Sequence, residues 1–167
     1  MTQLPSQYHC TGTDDFIGPA KSTARFIERL VDTSKRNGSA AIKLLILGQP
    51  GIGKSELAEH FTRCVGATKW SVHKYNGTQF KIEDAESLAT SMHYTNLFGD
   101  YRVVRIEEVD RVPTVAQVRF LTLLDDMPPQ NAVVCTSNCK VTELESRFQR
   151  RFQVVTLQAP KGEEIER

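Results

Sequence analysis

Eight residues, Gly48-Gln49-Pro50-Gly51-Ile52-Gly53-Lys54-Ser55, constrain this chain more than any others. Three glycines and a proline within six positions break both helix and strand, so the segment must turn. Its flanks are regular. Ala40 to Leu47 is a short, mostly apolar run that reads as a strand, and from Lys54 to about Val65 the residues Leu57, Phe61 and Val65 recur at helical spacing. A glycine-rich turn from strand to helix gathers backbone N–H groups, and the unpaired amides of the helix's first turn, around one point. That point attracts an anion. The segment fits a phosphate-binding loop at every required position, with Lys54 placed to reach terminal phosphates and the Ser55 hydroxyl to ligate Mg²⁺. The alternative is an ordinary tight turn between strand and helix; the apolar strand before it and the amphipathic helix after it favour the phosphate reading.

The rest of the chain alternates in the same way. Gly18-Pro19 opens a helix with Phe26, Ile27, Leu30 and Val31 on its apolar face, closed by Asn37-Gly38. Trp70 to Tyr75 is a candidate second strand, Glu83 to Met92 a short helix, and Gly99-Asp100 a turn. Tyr101 to Ile106 reads as a third strand, spoiled only by Arg102 and Arg105. Thr114 can cap a helix that runs to about Met127 with Val118, Leu121 and Leu124 as its stripe, and Pro128-Pro129 stops it. Ala132 to Thr136 is a fourth strand, Glu143 to Phe148 a short helix, and Phe152 to Leu157 a fifth strand. No repeat interrupts this order, which predicts α/β architecture: a three-layer sandwich around a parallel sheet.

Length and composition agree. A chain of 167 residues is one domain, able to bury a core without a metal or disulfide. Residues 1–15 read as an irregular segment, 16–160 as the core domain, and 161–167 as a tail or the start of a further unit. Hydrophobic residues at 40% and charged residues at 25% argue against a disordered or fibrous protein, and a formal charge of +1 neither demands nor excludes nucleic acid. The longest apolar run falls well short of the roughly 18 residues a membrane span needs. Residues 1–13 lack the pattern of a secretory signal. Cys10, Cys64, Cys135 and Cys139 are too irregular for a disulfide framework and fit a reducing, cytoplasmic setting.

Three further segments carry candidate chemistry. In Val103 to Asp110 the acidic residues bunch at the end of an apolar strand, where a carboxylate is costly unless paired, hydrated or near a metal. Glu107 is assigned to the magnesium shell through water, Glu108 to polarising the attacking water, and Asp110 to bracing the following turn. The alternative is an acidic surface junction. In Ala132 to Asn138, the Asn138 amide can accept from that water and donate to a phosphate oxygen, although Ser-Asn also marks turns. In Glu145 to Arg151, three arginines in five positions are either a salt-bridged surface or a source of one guanidinium for a neighbouring subunit's phosphate.

Other groupings are weaker. His60 and Cys64 lie four apart on one helix, and Cys135 and Cys139 are also four apart, but neither pair has the further ligands a zinc needs; buried apolar cysteines are the preferred reading. Trp70, His73 and Tyr75 suit either base stacking or simple strand alternation, and Lys69, Lys74 and Lys81 flank a loop region without forming a concentrated basic patch.

Taken together and in this order, these segments resemble the AAA+ ATPases, and within them the clamp-loader, Holliday-junction-motor and replication-initiation branches. The resemblance runs from about Asp15 to Pro160. Gly48 to Ser55 corresponds to the Walker A loop, Ile106 to Asp110 to the Walker B strand end, and Asn138 to sensor 1. Asp15-Phe16-Ile17-Gly18 stands where the family touches adenine, and Arg147 in Leu144-Glu145-Ser146-Arg147-Phe148 stands where a serine-arginine motif supplies the arginine finger. The resemblance implies a P-loop sheet of order 5-1-4-3-2, ATP and Mg²⁺ as ligands, and a homo- or hetero-oligomeric ring. Lys54, Ser55, Glu107, Glu108 and Asn138 would act in cis and Arg147 in trans, with DNA or a DNA-bound protein as partner and no membrane.

Two departures qualify it. Glu107 stands where the family usually has aspartate, which moves the carboxylate by ~1.5 Å and should weaken turnover more than binding. The sequence also ends at Arg167, just where the family's small helical lid usually begins, as expected of the excised core of a longer protein. Two other functions compete: a nucleotide-bound structural ring subunit active only as an arginine donor, and a small-molecule kinase on the same loop. The acidic pair and the Ser-Arg motif favour water over a kinase acceptor.

Overall fold

The computed structural model describes residues 10–140 and 146–159. Five short strands form its centre: β1 (Ile42–Leu47), β2 (Val72–Asn76), β3 (Arg102–Glu107), β4 (Asn131–Ser137) and β5 (Gln153–Thr156). They pair in parallel in the order β2-β3-β4-β1-β5, which is 5-1-4-3-2 read from the other edge. Parallel neighbours cannot be joined by hairpins, so helices supply the crossovers. These are α1 (Pro19–Arg36), α2 (Lys54–Cys64), α3 (Ile82–Met92), α4 (Thr114–Asp125) and the single turn α5 (Ser146–Gln149).

Strand period two divides the core into layers. Leu44 and Ile46 of β1, Val103 of β3 and Ala132 and Val134 of β4 pack with Ala24, Ile27, Val31, Leu57 and Phe61 of α1 and α2. Leu45, Leu47, Val104, Ile106, Val133 and Cys135 point the other way, to Leu88, Phe120, Leu124 and Phe148 of α3, α4 and α5. The molecule is therefore the expected three-layer α/β sandwich, with β4 buried along its whole length.

Several local expectations are corrected. On α1 the buried face is Ala24, Ile27, Val31 and Ser34, and Phe26 is exposed. Ser34 can occupy that stripe because its hydroxyl meets the Tyr101 hydroxyl at 2.8 Å and donates to the Ala40 carbonyl at 2.5 Å. Thr114 is the first residue of α4 and caps nothing; Pro113 holds the cap position. Val118 is exposed, since the stripe is set by Phe120, which lies between Phe80 at 5.6 Å and Phe152 at 6.5 Å. Two residues along a helix are about 200° apart, so Phe120 inward turns Val118 outward. Trp70 lies in a turn before β2, 70% exposed, with the Lys69 ammonium 4.8 Å from its ring centroid. Tyr75 alone of the aromatic trio packs against another aromatic ring, meeting Phe80 edge-on at 5.2 Å.

The expected helix from Glu143 is described only from Ser146, and residues 1–9 and 160–167 of the proposed terminal segments lie outside the described residues. Residues 13–15 form one 3₁₀ turn. All four cysteines are unbridged; Cys135 is fully buried, while Cys10, Cys64 and Cys139 are partly exposed. Among the described residues no helix is long and apolar enough to cross a membrane.

Candidate functional site

Register aligns the strand ends. Leu47 of β1 pairs with Ser137 of β4, Ile106 of β3 with Cys135, and Asn76 of β2 with Glu107. The chain therefore leaves β1 as Gly48, β3 as Glu108 and β4 as Asn138 along one edge of the sheet, where open parallel sheets bind their ligands. The Gly48 amide donates to the Ser137 carbonyl at 3.2 Å, and the Leu157 amide to the Leu47 carbonyl at 2.8 Å. A Cβ on Gly48 would lie 2.4 Å from Ile52 Cδ1 and 2.8 Å from the Leu157 carbonyl oxygen, so only glycine fits. Gly53 enters α2 at φ 93°, a left-handed conformation.

Lys54 is almost fully buried for a lysine, at 8% exposure. Its ammonium donates to the carbonyls of Gly48 at 2.9 Å and Gln49 at 2.8 Å, and to Asn138 Oδ1 at 2.8 Å. The Walker A-like lysine and the sensor-like asparagine, 84 positions apart, thus meet directly. Burial lowers the Lys54 pKa from the usual lysine value, against the opposing pull of Asp110 and Glu108. Asp110 ties two strand ends together by accepting from the Ser137 hydroxyl of β4 at 2.6 Å, a contact to a neighbouring strand and not to the turn that follows it.

Glu107 is held by a residue that the sequence reading treated only as a spoiler. Arg105 is buried between β3 and α2. It bridges Glu59 at 2.8 Å and Glu107 at 2.6 Å and donates to the Ser55 carbonyl at 3.2 Å. Its fork ties the first acidic residue of the strand end to the start of α2.

Glu108 sits at φ 54°, strained for a residue with a side chain, and its carboxylate lies 3.3 Å from Arg111. Gly77, just beyond β2, explains how that backbone is accommodated. It donates to the Glu107 carbonyl at 2.7 Å, and a Cβ there would stand 2.0 Å from the Glu108 carbonyl oxygen. In the sequence Gly77 carries no signal as a site residue beyond the Asn76-Gly77 turn dipeptide.

Pro50, Gly51, Gly53, Lys54, Ser55, Glu107, Glu108, Thr136 and Asn138 enclose a cleft of about 300 Å³. A second, more apolar cleft of about 240 Å³ adjoins it through Gly53 and Glu56 and is lined by Phe16, Ile17 and Ile52. Phe16 is buried edge-on against His60, Ile17 is exposed, and Gly18 opens α1 at φ 54°. Of the candidate residues, Gly18, Gly48 and Gln49 line neither cleft, although Gly48 and Gln49 each contribute a carbonyl to Lys54. Arg147 is exposed on α5 and lines neither cleft. Its neighbour Arg151 makes a two-point ion pair with Asp125, 2.7 Å at each oxygen, so the salt-bridged alternative holds for that arginine.

The donor set suits the expected ligands. A cleft lined by Gly51 and Gly53, both at positive φ, and by a buried cation suits phosphate, and a hydroxyl lining it together with two carboxylates suits a hard cation such as Mg²⁺. A separate cluster of different chemistry lies between α1 and α2, where Glu28 joins His60 and Cys64. The segment around His60 and Cys64 offers no further ligand of its own; helix packing supplies Glu28 from 32 positions before His60.

Comparison with known proteins agrees with this geometry. The family model described as AAA domain (dynein-related subfamily) matches residues 43–163. Among solved structures, the chain is similar to the Thermotoga maritima RuvB Holliday junction branch migration motor, with TM-score 0.73, 21% identity, and 95% of this chain and 51% of that one covered. It is also similar to a DNA polymerase III gamma subunit-related protein of Thermotoga maritima, with TM-score 0.68, 20% identity and coverage of 83% and 47%. For the FIGL-1 AAA domain in complex with ADP the values are 0.66, 18%, 93% and 58%. The chain thus spans about half the length of the solved proteins it matches.

Proposed function

This chain belongs to the AAA domain family, and on that premise we propose that it binds ATP with Mg²⁺ at the strand-end cleft and hydrolyses it. The observation that carries the reading is the 2.8 Å bond between Lys54 and Asn138 in a cleft that Glu107 and Glu108 also line. In this reading the amides of residues 51–55 and the Lys54 ammonium hold the phosphates, and the slot beside Phe16, Ile17 and Gly18 takes the base. Ser55 and Glu107 would hold Mg²⁺, which neutralises charge on the phosphate oxygens. Glu108 takes a proton from the attacking water while the Asn138 amide orients it. Arg147 is lent to the site of a neighbouring subunit in a ring, where its positive charge meets developing negative charge. The matched RuvB and polymerase III proteins by their names work on DNA, which makes DNA or a DNA-bound protein the proposed partner.

A second reading, a ring subunit that binds nucleotide but turns it over weakly, is favoured by the 2.6 Å pairing of Glu107 with Arg105. That contact draws the carboxylate toward α2, and the longer glutamate stands where aspartate is usual.

ATP binding and turnover, with and without DNA, test both readings on the longest natural chain containing this domain. Lys54→Ala is expected to abolish binding, and Glu108→Gln to retain ATP bound but unhydrolysed. Arg147→Ala is expected to lose activity only in assemblies and to be rescued by mixing with a binding-dead partner. Normal turnover in Glu108→Gln would overturn the enzymatic reading. A wild-type chain that binds ATP without turnover, and gains turnover in Glu107→Asp, would establish the structural one.

A further inference from the structure

Between α1 and α2, three side chains of metal-binding type converge. His60 and Cys64 are one helical turn apart on α2, and Glu28 reaches them from α1. His60 Nε2 lies 3.5 Å from Cys64 Sγ and 3.5 Å from Glu28 Oε1, and all three ligand atoms lie within 4.8 Å of one another. The two 3.5 Å separations, both from His60 Nε2, match edges of a coordination tetrahedron. Zinc bonds of about 2.1 Å to nitrogen and oxygen and 2.3 Å to sulfur place ligand atoms about 3.4 Å (N···O) and 3.6 Å (N···S) apart.

The supports behind the ligands are also in place. His60 is buried at 3% exposure, its ring hydrogen-bonded to the backbone of Ala24, and the Thr13 hydroxyl donates to the Glu28 oxygen that faces the imidazole. Outer bonds of this kind orient metal-bound imidazoles and carboxylates. The Glu28 side chain is 42% exposed, so solvent can reach a fourth position.

We propose that Glu28, His60 and Cys64 form a site for a thiophilic divalent cation, Zn²⁺ by donor set, that fastens α1 to α2. A carboxylate, an imidazole and a thiolate suit zinc and are a poor set for Mg²⁺, which prefers oxygen donors. Binding converts the Cys64 thiol to thiolate, with its proton released to solvent, and forms the metal–sulfur bond. Phe16 packs on the His60 ring at 5.2 Å, so an occupied site would also stiffen the wall of the apolar slot. The site shares no residue with the strand-end cleft, and its test stands whether or not ATP is hydrolysed.

Co²⁺ serves as the spectroscopic probe, added to the reduced, chelator-treated full chain in excess Mg²⁺. The expected result is one Co²⁺ per chain, with thiolate-to-cobalt charge-transfer absorption, tetrahedral visible bands, and displacement by Zn²⁺. Cys64→Ser should abolish the charge-transfer band, Glu28→Gln should weaken affinity at least tenfold, and Cys139→Ser should change neither. Zn²⁺ should raise the melting temperature of the wild type but not of Cys64→Ser. Both ligand variants alter partly exposed, similarly sized side chains, and the metal-free melting temperature reports their folding directly. Absence of a thiolate band in the folded wild type, or its persistence in folded Cys64→Ser, would overturn the proposal.

Discussion

At the scale of the residue, the site depends on positions whose importance lies in what they exclude or anchor. Gly77 is the sharpest case, because a Cβ would stand 2.0 Å from a backbone oxygen that cannot swing aside. Gly77→Ala is therefore expected to displace the Glu107-Glu108 backbone, cost about 1–3 kcal/mol, and weaken nucleotide binding. Gly38→Ala is the control: φ is +70° with nothing within 4 Å of the added carbon, so it should cost ~1 kcal/mol of strain and leave binding unchanged. Denaturation midpoints and nucleotide titrations on the two variants measure the difference, and matching behaviour would discount the close approach. Arg105 teaches a related lesson. A guanidinium in an apolar strand reads as a defect until its carboxylate partners on α2 and at the strand end are seen. Those partners are distant in sequence or outweighed by the simpler reading of Glu107 as a metal-shell residue.

At the scale of the element, α4 separates pattern from packing. Its valines and leucines offer more than one apolar stripe, and Val118, Leu121 and Leu124 form the simplest. The structure buries Leu121 and Leu124 of that stripe but adds Ala116, Phe120 and Leu123 and leaves Val118 exposed. The choice belongs to Phe80 and Phe152, which form an aromatic row with Phe120. Phe120→Ala is expected to cost about 3–5 kcal/mol, whereas Val118→Ser should stay within about 0.5 kcal/mol. Urea midpoints decide the matter, and comparable losses would mean that α4 is rotated from the orientation described here. The strand assignments fared better because a parallel strand has little freedom: apolar on both faces and bounded by turns, β1 and β4 were recognisable from short runs alone.

At the scale of the whole molecule, the pH response follows from two imidazoles. His60 and His73 are both held below their ordinary value of 6.5, chiefly by burial. Below that pH the unfolded chain binds more protons than the folded one, so stability present above pH 6.5 is lost as the pH falls through the folded values. Melting temperatures measured in chelator should fall from about pH 6.5 downward, with a shallower slope in a His60→Gln/His73→Gln double variant. An unchanged slope in that variant would assign the acid sensitivity to other groups.

Local chemistry determined the glycine turn, the alternation of helix and strand and therefore the three-layer parallel sheet, because each follows from neighbours along the chain: backbone freedom at glycine, apolar runs, and the ban on hairpins between parallel strands. Only the folded molecule decided which helix faces turn inward, that Arg105 would hold Glu107, that Gly77 must be bare, and that Glu28 would meet His60 and Cys64. Each of those is a contact between segments brought together by packing. Its partner is fixed by helix rotation and strand register, which no short window of sequence records.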